Sequence, residues 1–112
     1  MGYTDSIRYV EEIGFSIDGG IRKPHAGGIY YNRNILIDRY AFDAKWLAGQ
    51  LMEGGNYRTV LAHEIGHWHI DVHGWTPAHE EFMASSLGAY LPSISPAERS
   101  VLKNHALLRW PN

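Results

Sequence analysis

The chain has 112 residues, a formal net charge of −2 and a hydrophobic fraction of 45%. This length and composition fit one folded domain, which we expect to span residues 1–112. The small negative charge provides no broad basic field, so direct nucleic-acid binding is not expected. Cysteine is absent, which excludes disulfides and thiolate metal sites, so any metal must be held by nitrogen and oxygen ligands.

The N-terminal sequence MGYTDSIRYVEEIG has no charged leader followed by an apolar run, the pattern that a signal peptide requires. The chain also has no apolar stretch approaching the roughly 18 residues that a membrane-spanning helix needs. We therefore expect a cytoplasmic protein without a membrane partner.

Short elements are predicted before residue 40. Gly14 is placed to end a short apolar helix, and the glycines and proline of GGIRKPHAGG are typical of a loop. The sequence Asn32-Arg33-Asn34 between two β-favouring runs indicates a tight turn. The predicted elements are a helix over residues 7–13, a strand over 15–17, a loop over 19–28 and a β-hairpin with strands at 29–31 and 35–37.

Helices are predicted for the rest of the chain. Asn56 is suited to cap a helix that Gly74 would end, and Ser95 and Glu98 have the spacing of a capping box. The predicted helices run from Phe42 through Trp46 and Leu47 to Met52, from Tyr57 to Val72 or His73, from Thr76 to before Pro92, and from Ser95 toward Leu108. These elements predict an α+β fold. A β-hairpin or three-stranded antiparallel sheet would pack on the helix over 57–72, with three or four further helices around it.

The helix over 57–72 contains His63-Glu64-Ile65-Gly66-His67, an HExxH sequence. Histidines four residues apart lie about 40° from each other around a helix, so both imidazoles can reach one ion. The adjacent glutamate can accept a proton from an attacking water. We therefore predict His63 and His67 as metal ligands and Glu64 as the catalytic base. An apolar stripe on the opposite face predicts that the helix buries that side and leaves the histidine side open.

The third ligand is expected from the segment that follows. Glu81 shares a helical stripe with the small residues Ala78, Ala84, Ser85 and Gly88, which permit close approach to another helix. The pattern therefore favours Glu81 and leaves Glu80, His79 and His73 as alternatives. His73 follows His67 at the spacing of the metzincin pattern HExxHxxGxxH. That pattern needs a glycine between the two histidines to turn the chain, and this chain has Ile70 at that position. Asp71 is expected to orient an imidazole without binding the metal itself.

The segments RTVLAHEIGHWHIDVH and EEFMASSLGAYLP resemble the ImmA/IrrE family of small zinc metallopeptidases. The family has an LAHELGH-type helix followed by a helix with a ligand glutamate before a proline, and Glu81 stands in that register relative to Pro92. Phe82 and Met83 replace the alanine and asparagine that commonly follow this glutamate. The resemblance implies His63, His67 and Glu81 as zinc ligands, with Glu64 as the catalyst.

The resemblance also implies a bacterial or phage-borne protease that cleaves a helix-turn-helix transcriptional repressor. We therefore expect a zinc-dependent endopeptidase that acts on a protein substrate such as this repressor, with Mn²⁺ as an alternative to Zn²⁺. One strand of the hairpin over 29–37 is expected to present the substrate backbone to the metal. The competing hypothesis is a non-catalytic, zinc-stabilised module that binds a repressor or toxin–antitoxin partner.

Overall fold

A computed structural model of the chain describes residues 7–11, 13, 15–16, 22–23 and 27–109. The fold is α+β, as predicted, and its main sheet has the strand order β1 (Ile7–Tyr9), β5 (Asn34–Ile37), β4 (Gly28–Tyr31). A second sheet pairs β2 (Phe15–Ser16) with β3 (Arg22–Lys23) in antiparallel orientation. None of the helices in the described part of the chain is long and apolar enough to cross a membrane.

The predicted β-hairpin is confirmed by the antiparallel pairing of β4 with β5, in which Tyr31 lies opposite Asn34. The two residues between them, Asn32 and Arg33, have φ angles of 50° and 67°. Both therefore adopt the left-handed conformation that a two-residue hairpin turn needs to match the twist of its strands.

The predicted helix over residues 7–13 is wrong, because residues 7–9 form β1, which pairs in parallel with β5. A few apolar residues do not distinguish a short helix from a strand, and pairing with β5 decides between them here. The sheet is consequently mixed, and the prediction of an antiparallel sheet is also wrong. In the predicted loop over 19–28, β3 occupies Arg22–Lys23, whereas residues 19–21 and 24–26 lie outside the described residues, as do Gly14 and Ile17.

The helix predicted from Phe42 to Met52 is shorter in the structure, and a separate 3-10 helix precedes it. A 3-10 helix covers Arg39–Phe42 and α1 covers Ala44–Gly49. Asp38 caps the first and Asp43 caps the second, each by accepting a hydrogen bond from a backbone N–H. Because Asp43 caps α1, that helix begins at Ala44, after the predicted start at Phe42.

Three longer helices complete the fold, and the predicted caps explain their ends. The central helix α2 covers Tyr57–Val72, with a capping box at Asn56, and Gly74 follows it at a φ of 68°. The next helix, α3, covers Glu80–Gly88 and so begins later than the predicted Thr76. The last, α4, covers Pro96–Arg109 behind the reciprocal hydrogen bonds of Ser95 and Glu98.

Helix α2 is covered on both sides, by β4 and β5 of the sheet and by α3 and α4. His63 and Glu64 are 6% and 7% exposed, which makes them as buried as Ile65 at 5%. The prediction that α2 leaves its histidine side open is therefore wrong. The buried hydrophobic residues around α2 include Ile35, Ile37, Leu47, Met52, Val60, Ile65, Ile94 and Leu102.

Candidate metal centre

Among the described residues, His63, His67 and Glu81 form a group that could hold a metal ion. The Nε2 atoms of His63 and His67 are 3.2 Å apart. The Glu81 carboxylate lies 2.9 Å from Nε2 of His63 through Oε1 and 3.1 Å from Nε2 of His67 through Oε2. Helix α3 thus brings the predicted third carboxylate to the two histidines of α2.

The spacing of these donor atoms suits a small tetrahedral ion. Ligands at about 2.0–2.1 Å from such an ion are roughly 3.3 Å from one another. The observed separations of 2.9 to 3.2 Å are close to that value. The group supplies two imidazole nitrogens and one carboxylate oxygen, a donor set that zinc, manganese and other divalent ions accept.

Each histidine is oriented through its other ring nitrogen. Nδ1 of His63 lies 2.6 Å from Oγ of Ser85, and Nδ1 of His67 lies 2.7 Å from Oε2 of Glu80. When each Nδ1–H donates to these oxygens, each Nε2 keeps its lone pair for a metal. Glu80, which the sequence left as a possible third ligand, therefore supports His67 from outside the group.

His79 and His73, which the sequence also left as possible third ligands, are not part of the metal group. His79 precedes the first turn of α3 at its N-cap. His73 follows α2, where its Nδ1 lies 2.7 Å from the carbonyl oxygen of His69 and its ring stacks on Trp75. Neither belongs to the group of His63, His67 and Glu81.

Two glycines allow α2 and α3 to approach closely enough for Glu81 to reach the histidines. A Cβ on Gly66 would lie 2.0 Å from the carbonyl oxygen of Ala84 on α3. A Cβ on Gly88 would lie 2.5 Å from the carbonyl oxygen of Ala62 on α2. Since backbone atoms occupy these positions, a side chain at either position would push the helices apart. The small-residue stripe predicted for α3 is confirmed at Ala84, Ser85 and Gly88, which are buried, but not at Ala78, which precedes α3 and is exposed.

Glu64 is buried, and it lines the same cavity as His63 and Glu81 of the metal group. Burial raises the pKa of Glu64, and the nearby negative charge of Glu81 raises it further. The nearby charges of His63 and His67 lower this pKa, but burial outweighs them. A carboxylate with a raised pKa is suited to accept a proton near neutral pH.

Asp71 does not take the role expected of it. Its carboxylate accepts a hydrogen bond from the hydroxyl of Tyr30 and lies 3.4 Å from Nε of Arg33. Burial and the contact with Asp71 raise the pKa of Tyr30 to about 12. Asp71 therefore fastens the hairpin to the end of α2, while Ser85 and Glu80 orient the imidazoles.

His105 on α4 is a buried residue near the site that the sequence did not single out. Its ring packs edge-on against His63 with centroids 5.5 Å apart, and its Nδ1 donates to the carbonyl oxygen of Leu51 at 2.8 Å. Burial lowers the pKa of His105, so the neutral ring presents Nε2 as an acceptor. Its place on the apolar side of an amphipathic helix gave no signal that separated it from a core histidine.

Comparisons of the chain with protein-family models, with curated proteins and with solved structures found no match.

Replacing Ser85 by alanine is expected to lower the affinity for zinc by about 10- to 100-fold, because His63 loses the partner that fixes its ring. The change removes one buried oxygen and leaves the metal group intact. Competition with a chromogenic chelator measures the affinity. Ser86→Ala, on the next residue of α3, is the matched control. Equal zinc affinities in all three proteins would contradict the role assigned to Ser85.

Zinc binding is expected to depend on pH through His67. Burial favours the neutral imidazole, but the hydrogen bond with Glu81 and the charges of Glu64 and Glu81 outweigh it and raise the pKa of His67 to about 9. Hydrogen bonds from His63 and His67 lower the pKa of Glu81, so that carboxylate stays ionised. A metal therefore displaces a proton from His67 at neutral pH.

The apparent zinc affinity should accordingly rise by about tenfold per pH unit from roughly pH 7 and level off once His67 has lost its proton. Chelator competition at a series of pH values, corrected for protonation of the chelator, measures this slope. An affinity independent of pH between 7 and 8.5 would show that no such proton is displaced. A tenfold change in zinc affinity per pH unit corresponds to about 1.4 kcal/mol per pH unit, which is large enough to distinguish a pH-dependent affinity from a constant one.

Proposed function

We propose that this protein is a zinc-dependent endopeptidase that hydrolyses a peptide bond in a protein substrate. The observation that carries the proposal is the convergence of His63, His67 and Glu81 next to the buried carboxylate of Glu64. Two imidazoles and one carboxylate are typical of hydrolytic zinc sites, in which three protein ligands leave a position for water or substrate. Manganese is the alternative metal for these donors.

The residues around the group have defined tasks in this reaction. Zinc bound there supplies a Lewis acid that polarises the carbonyl of the substrate. Glu64 takes a proton from the attacking water and passes it to the leaving amine. Ser85 and Glu80 keep the imidazole rings of the ligands in position.

The substrate backbone is expected to pair with β4, which is an edge strand of the described main sheet. In a two-residue hairpin the pair that closes the turn, here Tyr31 and Asn34, exchanges backbone hydrogen bonds, so the backbone groups of Tyr30 point away from β5. Backbone groups two residues apart in a strand point to the same side, so those of Gly28 also face outward. A Cβ on Gly28 would lie 3.2 Å from Cγ of Glu64, which shows how near this edge is to the base. An extended peptide added here would run past the metal group.

Substrates methylated at single backbone nitrogens test this arrangement. Methylation should slow cleavage by about fivefold at alternate residues, whose N–H groups pair with β4, and have little effect at the residues between. Rates for each methylated peptide relative to its parent give the pattern. A uniform effect at all positions would refute strand pairing and leave the hydrolytic proposal standing.

The resemblance to ImmA/IrrE peptidases supports a helix-turn-helix repressor as the substrate. The experiment is to incubate the zinc-loaded protein with the repressor encoded nearest to it and, in parallel, with an unfolded protein such as casein. Mass spectrometry should find a defined cut that an added chelator prevents and that zinc restores. A stable complex in which the partner stays uncut would instead identify a binding module.

A further inference from the structure

A cavity of about 220 Å³ opens beside the metal group. Glu64, His63 and Glu81 line this cavity, so any molecule in it lies next to the groups proposed to react. The other lining residues include apolar side chains from α1, from the segment between α1 and α2, and from α2 itself. They are Trp46, Leu47, Met52 and Val60.

The volume determines what the cavity can hold. A protein cavity of about 150 Å³ lined by aliphatic and aromatic side chains binds benzene. A cavity of 220 Å³ is therefore large enough for a phenyl ring or a branched aliphatic side chain. Burial of such a side chain against Trp46, Leu47 and Val60 is favourable because it removes apolar surface from water.

The rim of the cavity is polar. Gln50, at the end of α1, and Arg109, in the last turn of α4, both line the cavity and are both exposed. His105 precedes Arg109 by one helical turn on the same face of α4 and contacts His63. The guanidinium thus stands one turn of α4 beyond the ring that touches a metal ligand.

The charges of the lining favour one negative group on the ligand. Among the described residues that line the cavity, Arg109 is the one Lys or Arg, and Glu64 and Glu81 are the two carboxylates. A divalent ion on the metal group offsets these two charges and leaves the guanidinium uncompensated. A planar guanidinium binds a carboxylate through two parallel hydrogen bonds, which makes Arg109 suited to such a ligand.

We propose that this cavity binds the substrate residue beside the scissile bond, that this residue has a large apolar side chain, and that Arg109 binds a carboxylate next to it. In an endopeptidase substrate this carboxylate is the side chain of a following acidic residue. If it is instead the C-terminus of the substrate, the cleavage is that of a carboxypeptidase. This inference rests on the proposed peptidase function and specifies its substrate.

Short peptides with matched ends test the inference through binding. One pair ends in Phe with a free carboxylate or a carboxamide, and a second pair has Phe followed by Asp or Asn with an amidated end. Binding is measured by calorimetry with the zinc-loaded Glu64→Gln protein, so that the peptides are not consumed. One carboxylate peptide should bind at least tenfold more tightly than its neutral twin, and the pair that shows the difference identifies the source of the carboxylate.

Two variants assign the effect to Arg109. Arg109→Gln should abolish the preference for the carboxylate. Lys103→Gln removes the same charge from α4 at an exposed residue that lies over Tyr90 and outside the cavity lining, and it should keep the preference. Replacing Phe by Ala in the peptide should weaken binding at least tenfold in all of these proteins.

The inference is overturned if carboxylate and neutral peptides bind equally, if Phe and Ala peptides bind equally, or if the preference survives in Arg109→Gln because the carboxylate binds the metal alone. These outcomes are separate from failure of the proposed function. If the wild-type protein cuts no substrate while the preference depends on Arg109, the peptidase proposal fails and the ligand assignment stands. If the protein cleaves a substrate at a rate that depends neither on Phe in the substrate nor on Arg109, the peptidase proposal stands and the ligand assignment fails.

Discussion

A Glu64→Gln protein is expected to bind zinc as tightly as the wild type and to hydrolyse its substrate at least about a hundredfold more slowly. The amide has the size and shape of the carboxylate, so the packing of α2 is retained. It cannot accept the proton of the attacking water, however. Because Glu64 is 7% exposed, solvent has little access to replace it in this role.

The measurement pairs steady-state cleavage rates with zinc stoichiometry on the same preparations. Glu53→Gln is the matched control, since Glu53 is an exposed carboxylate and its variant should cleave at the wild-type rate. A Glu64→Gln protein with full zinc occupancy and an undiminished cleavage rate would remove Glu64 from the mechanism. If the chain is instead a binding module, Glu64→Gln should leave its affinity for the partner unchanged.

The metal group could be predicted from the sequence to the extent that it depends on local structure. The spacing of His63 and His67 fixes their relation on a helix, and Asn56 and Gly74 fix the ends of that helix. Glu81 was favoured by a stripe of small residues, a packing signal that holds whenever two helices approach closely. These signals can be recognised in the sequence without knowledge of the other contacts in the fold.

The parts that were missed depend on the angle and depth of packing between elements distant in sequence. Ser85 reaches Nδ1 of His63 only because α3 crosses α2 at two glycines. Asp71 instead contacts Tyr30 and Arg33 of the hairpin. A helical wheel shows only one helix, so it cannot predict this contact. A wheel treats one face of a helix as open, whereas α2 is enclosed by the sheet and by two helices.

The error at the N-terminus has a related cause. Residues 7–9 include two apolar side chains, and that pattern fits a helical turn or a strand equally well. Parallel pairing with β5 satisfies their backbone hydrogen bonds and completes the sheet. The deciding partner lies some 28 residues further along the chain, since Ile7 pairs with Ile35.

Gly66→Ala is expected to destroy the metal site and to destabilise the fold. The added methyl would lie 2.0 Å from the carbonyl oxygen of Ala84 and 2.8 Å from its Cα, so the conflict is with backbone and no change of rotamer relieves it. The helices must separate, and Glu81, one turn before Ala84 on α3, moves with them. Overpacking of this kind costs about 1–3 kcal/mol or more, a large share of the stability of a small domain.

We expect zinc affinity to fall at least about a hundredfold, as it would on losing one of three ligands, and the thermal midpoint of the zinc-free protein to fall by several degrees. Chelator competition and thermal unfolding measure the two effects. Gly49→Ala is the matched control, because a Cβ there meets nothing within 4 Å and alanine suits a helix better than glycine. Adding Ala84→Gly should not rescue Gly66→Ala, since the clash is with main-chain atoms. Wild-type zinc affinity in Gly66→Ala would show that the close crossing of α2 and α3 is not what brings Glu81 to the histidines.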